Sequence, residues 1–357
     1  MMEGYLLIDS NNLTCRVAYG YGERYTSSGE PTHIVHGFMD QLVRMRQTFP
    51  QLVPLIVWDG GYKERTKLSK KAVDLGVIPE LYKANRDDND PIKTDIKDQE
   101  PFLRHVLSTT NVPQVRKDGY EADDVIASYT HILKQDPNMT IVNYTVDKDY
   151  YQLIDDNVMC VSKRDGVETL ITLEDYENMF SGLSPCQWVD VGALGGDTGD
   201  NIFGVPTCGE GTAIKLISEH HTYQAVIEAC TKQFSGLRAE YSDLQTEDEI
   251  NELKETRSCS KHNPYAMCYP GMKFTGVALA VEKKLIKKPK MMPLMISMFQ
   301  DVVRLAYRLK KMKCDLNLPP FKVFDRFDKN MFVAACERFE LHDIKARANL
   351  FSCDELR

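Results

Sequence analysis

Apolar residues follow two rhythms along this chain. Three continuous runs of strand length, YLLID (5–9), PLIVWD (54–59) and TIVNYTVD (140–147), each finish on an aspartate: Asp9, Asp59 and Asp147. Around them, apolar residues recur at helical spacing over 34–49, 99–110 and 121–135. Strands alternating with helices predict an α/β fold built on a parallel sheet with helices on both faces. Ligands of such sheets bind beyond the carboxyl ends of the strands, so the three aspartates are expected together at one edge. GYEADDVIASY (119–129) adds Glu121, Asp123 and Asp124 at the start of a helix, with Glu121 and Asp124 on one helical face. Any one of these residues reads equally well as a helix cap or a turn opener. For the whole set that reading needs a repeated coincidence.

The remaining patterns are less regular. Residues 60–98 are dense in charge and read as an exposed, partly helical segment. Residues 194–217 are rich in glycine, carry Asp197 and Asp200 three positions apart, and lead through GVPTCGEGTA into a helix. A turn of that kind presents backbone N–H groups at a helix N-terminus, which suits a phosphate. The pattern predicts charged helix over 223–256, one long helix over 291–313 with a methionine-rich face for packing, and one helix over 329–344. No internal repeat or low-complexity tract is present.

Together Asp9, Asp59, Glu121, Asp123, Asp124, Asp147, Asp149, Asp197 and Asp200 form an all-oxygen donor set without histidine or cysteine. Such a set favours Mg2+ or Mn2+. It is large enough for two ions, which can activate a water and stabilise a leaving oxygen in phosphodiester cleavage. A net charge of −8 argues against nucleic acid as a partner. Basic residues nevertheless cluster at 63–71, 283–290 and 304–313, which leaves room for a basic path. The ten cysteines are scattered and read as reduced thiols. Cys259, His262 and Cys268 match no common zinc spacing and lack a fourth ligand nearby, so they read as a loop with free thiols. No apolar run is long enough to span a membrane, and the N-terminus lacks a signal-peptide pattern. The expected setting is the cytoplasm of a bacterial or phage-infected cell.

YLLIDSNNL, WDGGYKERTKL, YKANR, GYEADDVIASY, TVDKDYYQLI and GDTGDNIFGVPTCGEGTA occur in an order and spacing that resemble the flap endonuclease family. The likeness is to the 5′ nuclease domain of bacterial DNA polymerase I and its stand-alone phage counterparts. It covers roughly 5–217 and, more weakly, 300–344. The resemblance implies a PIN-like nuclease domain over 1–185, with a helical arch at about 60–98. It further implies a helical DNA-binding region over 186–357, with a helix–three-turn–helix at about 190–220; residues 230–300 would be an insertion. It implies 5′→3′ exonuclease and flap endonuclease activity on DNA with a flap, nick or 5′ end, extending to RNA–DNA hybrids, by a monomer working in replication or repair. Asp9, Asp59, Glu121, Asp123 and Asp124 would belong to a first metal, and Asp147, Asp149, Asp197 and Asp200 to a second. Lys83 and Arg86 would reach the scissile phosphate, Tyr82 would stack on a base, and Arg65 would contact DNA. Gly204, Val205, Gly209, Gly211, Thr212 and Lys215 would grip the duplex backbone, with a K+ bound at the turn. The family's Gly-Ile-Gly-Pro-Lys-Thr-Ala is replaced by Thr207-Cys208-Gly209-Glu210-Gly211-Thr212-Ala213, so a lysine is lost and Glu210 gained, with Lys215 placed to compensate.

Two other readings compete. One is a DNA-structure binder of the same fold without catalysis; against it, every expected carboxylate is present. The other is a Mg2+ phosphohydrolase of small molecules, which Asp147-Lys148-Asp149 superficially resembles. That reading leaves the basic segment and the glycine-rich turn without a purpose.

Overall fold

The N-terminal apolar run becomes the middle of a six-stranded sheet in a computed structural model, which describes residues 4–87, 90–164, 167–180, 182–240, 291–320 and 327–351. The strands are β1 (Gly4–Asp9), β2 (Leu52–Trp58), β3 (Gln114–Arg116), β4 (Thr140–Tyr144), β5 (Val158–Arg164) and β6 (Val167–Ile171), in the order β3-β2-β1-β4-β5-β6. β1 and β2 are almost wholly buried, as expected of strands covered on both faces. The first five strands are parallel and β6 is antiparallel to β5. Only two residues separate β5 from β6, too few for the crossover that a parallel pairing requires. The parallel sheet expected from the sequence thus carries one antiparallel strand at its edge.

Chain order reverses at β1, which has β2 on one side and β4 on the other. The register aligns the functional ends. Asp9 pairs with Val57, two residues short of Asp59, and Ile8 pairs with Tyr144, three residues short of Asp147.

Two compact units make up the chain: residues 1–63, 87–176 and 312–357 in one, and 64–86 with 177–311 in the other. The first unit holds the sheet. Its core joins Leu6, Ile8 and Ile56 to Phe38 and Leu42 of helix His33–Thr48, and to Phe332, Phe339 and Phe351 from the C-terminal end. The second unit is helical, with helices Trp188–Gly195, Glu210–His220, Tyr223–Glu240, Met291–Met298 and Gln300–Lys310. Helix Lys63–Asp74 and a turn over Tyr82–Asn85 lie in the segment expected to be mainly exposed.

Several predicted elements change extent. The helix placed at 99–110 starts at Pro91, capped by the Asp90 carboxylate on Ile92 N (2.9 Å). The helix predicted over 291–313 is two helices. Phe299 leaves helical dihedrals between them, and residues beyond Lys310 are extended. There, side chains take the backbone donors: Gln152 Oε1 accepts from Met312 N (3.1 Å) and Asp124 Oδ1 from Lys313 N (2.9 Å). The helix predicted over 329–344 breaks after Arg338, where Glu340 adopts φ 53° and Leu341 N bonds Cys336 O. The strand predicted over 140–147 ends at Tyr144. The insertion at 230–300 and the helix over 223–256 lie outside the described residues from 241 to 290 and past 240 respectively, as do the Cys259–His262–Cys268 cluster and the basic run at 283–290. The cysteines among the described residues are free thiols. None of the described helices is long and apolar enough to cross a membrane.

Candidate functional site

Seven of the nine carboxylates belong to the sheet-bearing unit. Asp9 is the last residue of β1 and caps helix Ser10–Gly20, its Oδ1 accepting from Asn12 N at 2.9 Å. Asp59, just past β2, does the same for another helix: its Oδ1 accepts from Ala122 N at 2.7 Å, and Asn11 Nδ2 donates to its Oδ2. Gly60 and Gly119 make that approach possible. Their backbones exchange hydrogen bonds with each other's loops, Gly119 has φ +87°, and a Cβ on Gly60 would strike Lys117 O. Glu121 is the N-cap of helix Ala122–Leu133, and Asp123 and Asp124 occupy its first turn. Asp147 caps the 3-10 helix Lys148–Leu153 through Asp149 N (2.8 Å). Capping and clustering therefore coincide: caps on successive βα junctions bring the carboxylates to the same edge.

One donor was invisible in the sequence. The buried Tyr150 hydroxyl lies 2.8 Å from Asp123 Oδ1 and 3.3 Å from Asp9 Oδ2, tying two carboxylates together. Nothing in the sequence distinguishes Tyr150 from a core aromatic.

The electrostatics of this cluster are strained. Burial, the Asp59 charge and then the Asp147 charge push the Asp9 carboxyl up to about 7, against its hydrogen bonds from Asn12 and Tyr150. Burial, followed by Asp9, Asp147, Glu121 and Asp59, raises Asp123 well above the carboxylate range. Burial and the Asp123 and Asp9 charges keep the Tyr150 phenol protonated far above neutrality. Among the described residues no three acidic, imidazole or thiol groups are drawn close enough together to hold a metal ion as they stand. An open, all-oxygen and self-repelling donor set fits a hard divalent cation that keeps several of its waters.

Asp197 and Asp200 lie in the helical unit, each beside cations. Lys310 Nζ is 2.7 Å from Asp197 Oδ2, and Gly199 N donates to Asp197 Oδ1 (2.8 Å). Burial raises the Asp197 carboxyl, but the Lys310 charge and these hydrogen bonds prevail and hold it below its ordinary value. Asp200 faces Lys83 Nζ (3.5 Å), Arg86 Nη2 (3.1 Å) and the Tyr82 hydroxyl, which donates at 3.0 Å. Lys83 has φ 58°, donates its backbone N–H to Asp200 O (2.9 Å), sits 4.9 Å from the Tyr82 ring centroid and is buried. A solvated surface lysine is thereby excluded. Tyr82 is also buried, and Arg65 Nε donates to Leu309 O (2.9 Å). Lys310 was not among the residues singled out from sequence; within RLAYRLKKMK no feature sets it apart.

The glycine-rich turn joins helix Trp188–Gly195 to helix Glu210–His220. Gly196 (φ +71°) and Gly204 meet backbone to backbone, leaving no room for a Cβ on either. Val205 N donates to Leu194 O (2.8 Å), and Thr212 N to Gly209 O (2.9 Å). Gly209 is the N-cap, with open space where Cβ atoms of Gly209 and Gly211 would be, and Lys215 is exposed one turn on. A cavity of about 660 Å3 lies against this turn, lined by Glu80, Asn85, Asp197, Phe203 and Thr207 among others.

The first unit is thus an α/β sheet, mostly parallel, with acidic strand ends, and the second unit is helical. Two sequence profiles match: "5'-3' exonuclease, N-terminal resolvase-like domain" over residues 4–180 and "5'-3' exonuclease, C-terminal SAM fold" over 183–263. The chain belongs to the 5'-3' exonuclease family. Among curated relatives, DNA polymerase I of Caldicellulosiruptor bescii is 32% identical over 238 residues, covering 65% of this chain and 26% of that protein. DNA polymerase I of Bacillus subtilis is 27% identical over 273 residues, covering 76% and 29%. The chain thus spans about a quarter of the length of these relatives. Two solved structures share the fold: a T5 protein co-crystallised with metal ions (17% identity, 97% of this chain and 98% of that chain, TM-score 0.53) and the catalytic core of Rad2 in complex with DNA substrate (13%, 97% and 92%, TM-score 0.54).

Proposed function

We propose that this chain is a divalent-metal-dependent 5′ nuclease, cleaving phosphodiesters near a flap, nick or 5′ end of DNA in replication or repair. The observation that carries the reading is the set Asp9, Asp59, Glu121, Asp123 and Asp124, the first two at the carboxyl ends of β1 and β2 and the other three at the start of helix Ala122–Leu133, in which burial and neighbouring charges raise Asp9 and Asp123, with Asp147 and Asp149 after β4. Burying such a set without a cation raises its protonation, and a pair of Mg2+ or Mn2+ ions would remove that penalty. When bound, the ions supply a nucleophile from water and charge stabilisation for the leaving oxygen. Asp9, Asp59, Glu121, Asp123 and Asp124 would hold one and Asp147 and Asp149 would serve the other. Tyr150 holds Asp9 and Asp123 in place as a neutral donor. Lys83 and Arg86 supply positive charge for the scissile phosphate, and Tyr82 braces them through Asp200. The N-terminus of helix Glu210–His220, with Lys215, would bind backbone phosphates of a duplex, with a K+ at the Gly204–Gly209 turn. The C. bescii and B. subtilis relatives are DNA polymerases, and Rad2 was solved with a DNA substrate, which supports DNA as the partner. RNA of an RNA–DNA hybrid is a second substrate under this reading, and the working form is a monomer.

The test is direct. Labelled flap DNA, nicked duplex, an RNA–DNA hybrid and a generic phosphomonoester are incubated with the chain in Mg2+ or in excess chelator. Cleavage confined to the nucleic acids and to Mg2+ is the expected result. Binding of flap DNA without cleavage would leave a DNA-structure binder, and turnover of the monoester alone a phosphohydrolase.

A further inference from the structure

Two asparagines that the metal and phosphate chemistry leaves unused sit where two distant turns meet. Both turns belong to the helical unit: Tyr82–Asn85, within YKANR, and the 197–202 loop, within GDTGDN. Asn85 Nδ2 donates across to Thr198 O at 2.7 Å and lies 3.4 Å from Gly199 O. Asn201 Nδ2 donates in the opposite direction, to Leu81 O at 2.8 Å, and lies 3.2 Å from Glu80 Oε2. Between them the Lys83 N–H donates to Asp200 O at 2.9 Å. The exchange is reciprocal, since each turn sends one side-chain amide into the backbone of the other. Each turn is also closed by its own backbone, through Ala84 N on Leu81 O (3.1 Å) and through the paired N–H and C=O groups of Asp197 and Ile202 (2.7 and 2.8 Å). An asparagine in a turn ordinarily bonds its own backbone a residue or two on. Neither of these amide nitrogens is spent that way. Lys83 and Asn201 both hold left-handed dihedrals, φ 58° and 55°. Asparagine is at home there, whereas lysine needs surroundings that impose it.

We propose that Asn85 and Asn201 are positioning residues: they form a reciprocal amide clasp that holds the turn carrying Lys83 and Arg86 on the 197–202 loop, and they set the cleavage rate through those two cations. The proposal rests on the reading that Lys83 and Arg86 serve the scissile phosphate. None of the crossing bonds uses the carboxylate of Asp197 or Asp200, so the clasp is compatible with a metal role for either. A cation stabilises a transition state only from the right place, and a displacement of about 1 Å can cost about 10² in rate. Asn85 is exposed and Asn201 half-buried, and bonds of this kind add little to global stability. Their loss is therefore expected to show locally, in the turn they hold.

The experiment uses the full chain, with Asn85→Ala and Asn201→Gly made singly. Glycine suits φ 55° and removes only the amide. Without DNA, amide hydrogen exchange over residues 80–86 should quicken by about fivefold in either variant, the weight of one lost hydrogen bond. Single-turnover flap cleavage should slow by about tenfold or more, while flap-DNA affinity and Tm change little. The decisive comparison is made in a Lys83→Ala/Arg86→Ala background, where the turn carries no cation to position. There the same substitutions should cost almost nothing in rate. If they cost as much there as in the unmodified chain, the asparagines act through something other than Lys83 and Arg86, and the proposal fails. It fails equally if exchange over 80–86 is unchanged, or if DNA affinity falls in step with rate, which would make them binding residues. Should one variant not fold, the other still decides, because both break the same clasp. Lys83→Ala and Arg86→Ala alone are the controls for the underlying reading. If both cleave at the unmodified rate, that reading fails and the proposed effect on rate fails with it, whereas slowed controls beside unaffected asparagine variants overturn the clasp alone.

Discussion

Lys83 shows how much one residue's surroundings change its meaning. A lysine in a charged segment is ordinarily solvated, and its removal changes little. This one is buried, in a left-handed backbone conformation, between the Tyr82 ring and the Asp200 carboxylate. Non-glycine residues with positive φ carry strain of about 1 kcal/mol or more and persist where surroundings over-determine them. The Lys83 N–H to Asp200 O bond and the Asn85 amide on Thr198 O (2.7 Å) do that. A preorganised cation of this kind stabilises charge that grows on a phosphate in the transition state. Loss of one such partner typically costs 10²–10³ in turnover. Lys83→Ala should therefore lower single-turnover cleavage by about two orders of magnitude while DNA affinity, set by many other phosphates, changes modestly. Rates equal to those of the unmodified chain would remove Lys83 from the active site. Affinity falling in step with rate would make it a binding residue. The acidic residues were readable from sequence because they recur at strand ends and in a helix first turn. Tyr150 and Lys310 were not, because their roles depend on a buried approach to distant carboxylates that no local pattern encodes.

Elements were legible where the pattern matched the packing. β1, β2, helix His33–Thr48 and helix Ala122–Leu133 fall within a residue or two of the apolar periodicity. Misplaced ends have local causes. Charge density over 60–98 obscured the Asp90–Pro91 start signal of helix Pro91–Ser108, although an acidic N-cap followed by proline is what helix starts prefer. The break after Arg338 has Glu340 at the left-handed position that glycine normally marks, so composition gave no warning. His221 makes the same stop for helix Glu210–His220, with φ 69° and its N–H on Ile217 O at 2.7 Å. Its side chain is exposed, so the left-handed conformation carries a cost that glycine lacks. His221→Gly should raise stability by about 1 kcal/mol, measured by denaturant unfolding, with no change in cleavage; a loss of stability would mean the imidazole makes a contact that outweighs the backbone term. The N-terminus of the same helix tests the duplex grip. Gly211 is exposed, with open space around it, at the position next to Glu210 where the family's lysine is missing. Gly211→Lys should tighten binding to duplex DNA and steepen its salt dependence by about 0.9 in log–log slope if one more phosphate is contacted. An unchanged slope would show that this turn does not touch the backbone.

At the scale of the whole molecule, a net charge of −8 looks wrong for a chain proposed to act on DNA. The excess acid is partly concentrated, however, in a buried set where it opposes its own ionisation. That has a sign that stability measurements can read. The Asp9 carboxyl stands at about 7 in the fold, through burial first and then the Asp59 charge, whereas an unfolded chain releases that proton near pH 4. Between those values the folded chain holds more protons than the unfolded one, so the Asp9 contribution to stability declines as pH rises from about 4 to about 7 and levels off above. Other carboxylates run the opposite way. Hydrogen bonding from Lys134 is the main lowering influence on Asp155, and this pair is lost in acid. The absolute melting curve therefore mixes both signs, and the clean observable is a difference. Asparagine at position 9 can still cap helix Ser10–Gly20 through Asn12 N while carrying no charge. In excess chelator, Asp9→Asn should match the unmodified chain near pH 4.5 and become progressively more stable than it towards pH 7.5. Mg2+ should close or invert that gap, because an ion bound to the ionised cluster stabilises only the unmodified chain, by an amount that grows with occupancy. A gap that is constant across pH in chelator, or that Mg2+ leaves untouched, would mean that the cluster at the ends of β1 and β2 neither repels itself nor holds a metal. The same variant should cleave no flap DNA at any pH, so a stabilised and inactive protein is the joint signature expected of a residue kept for its charge at a cost to the fold.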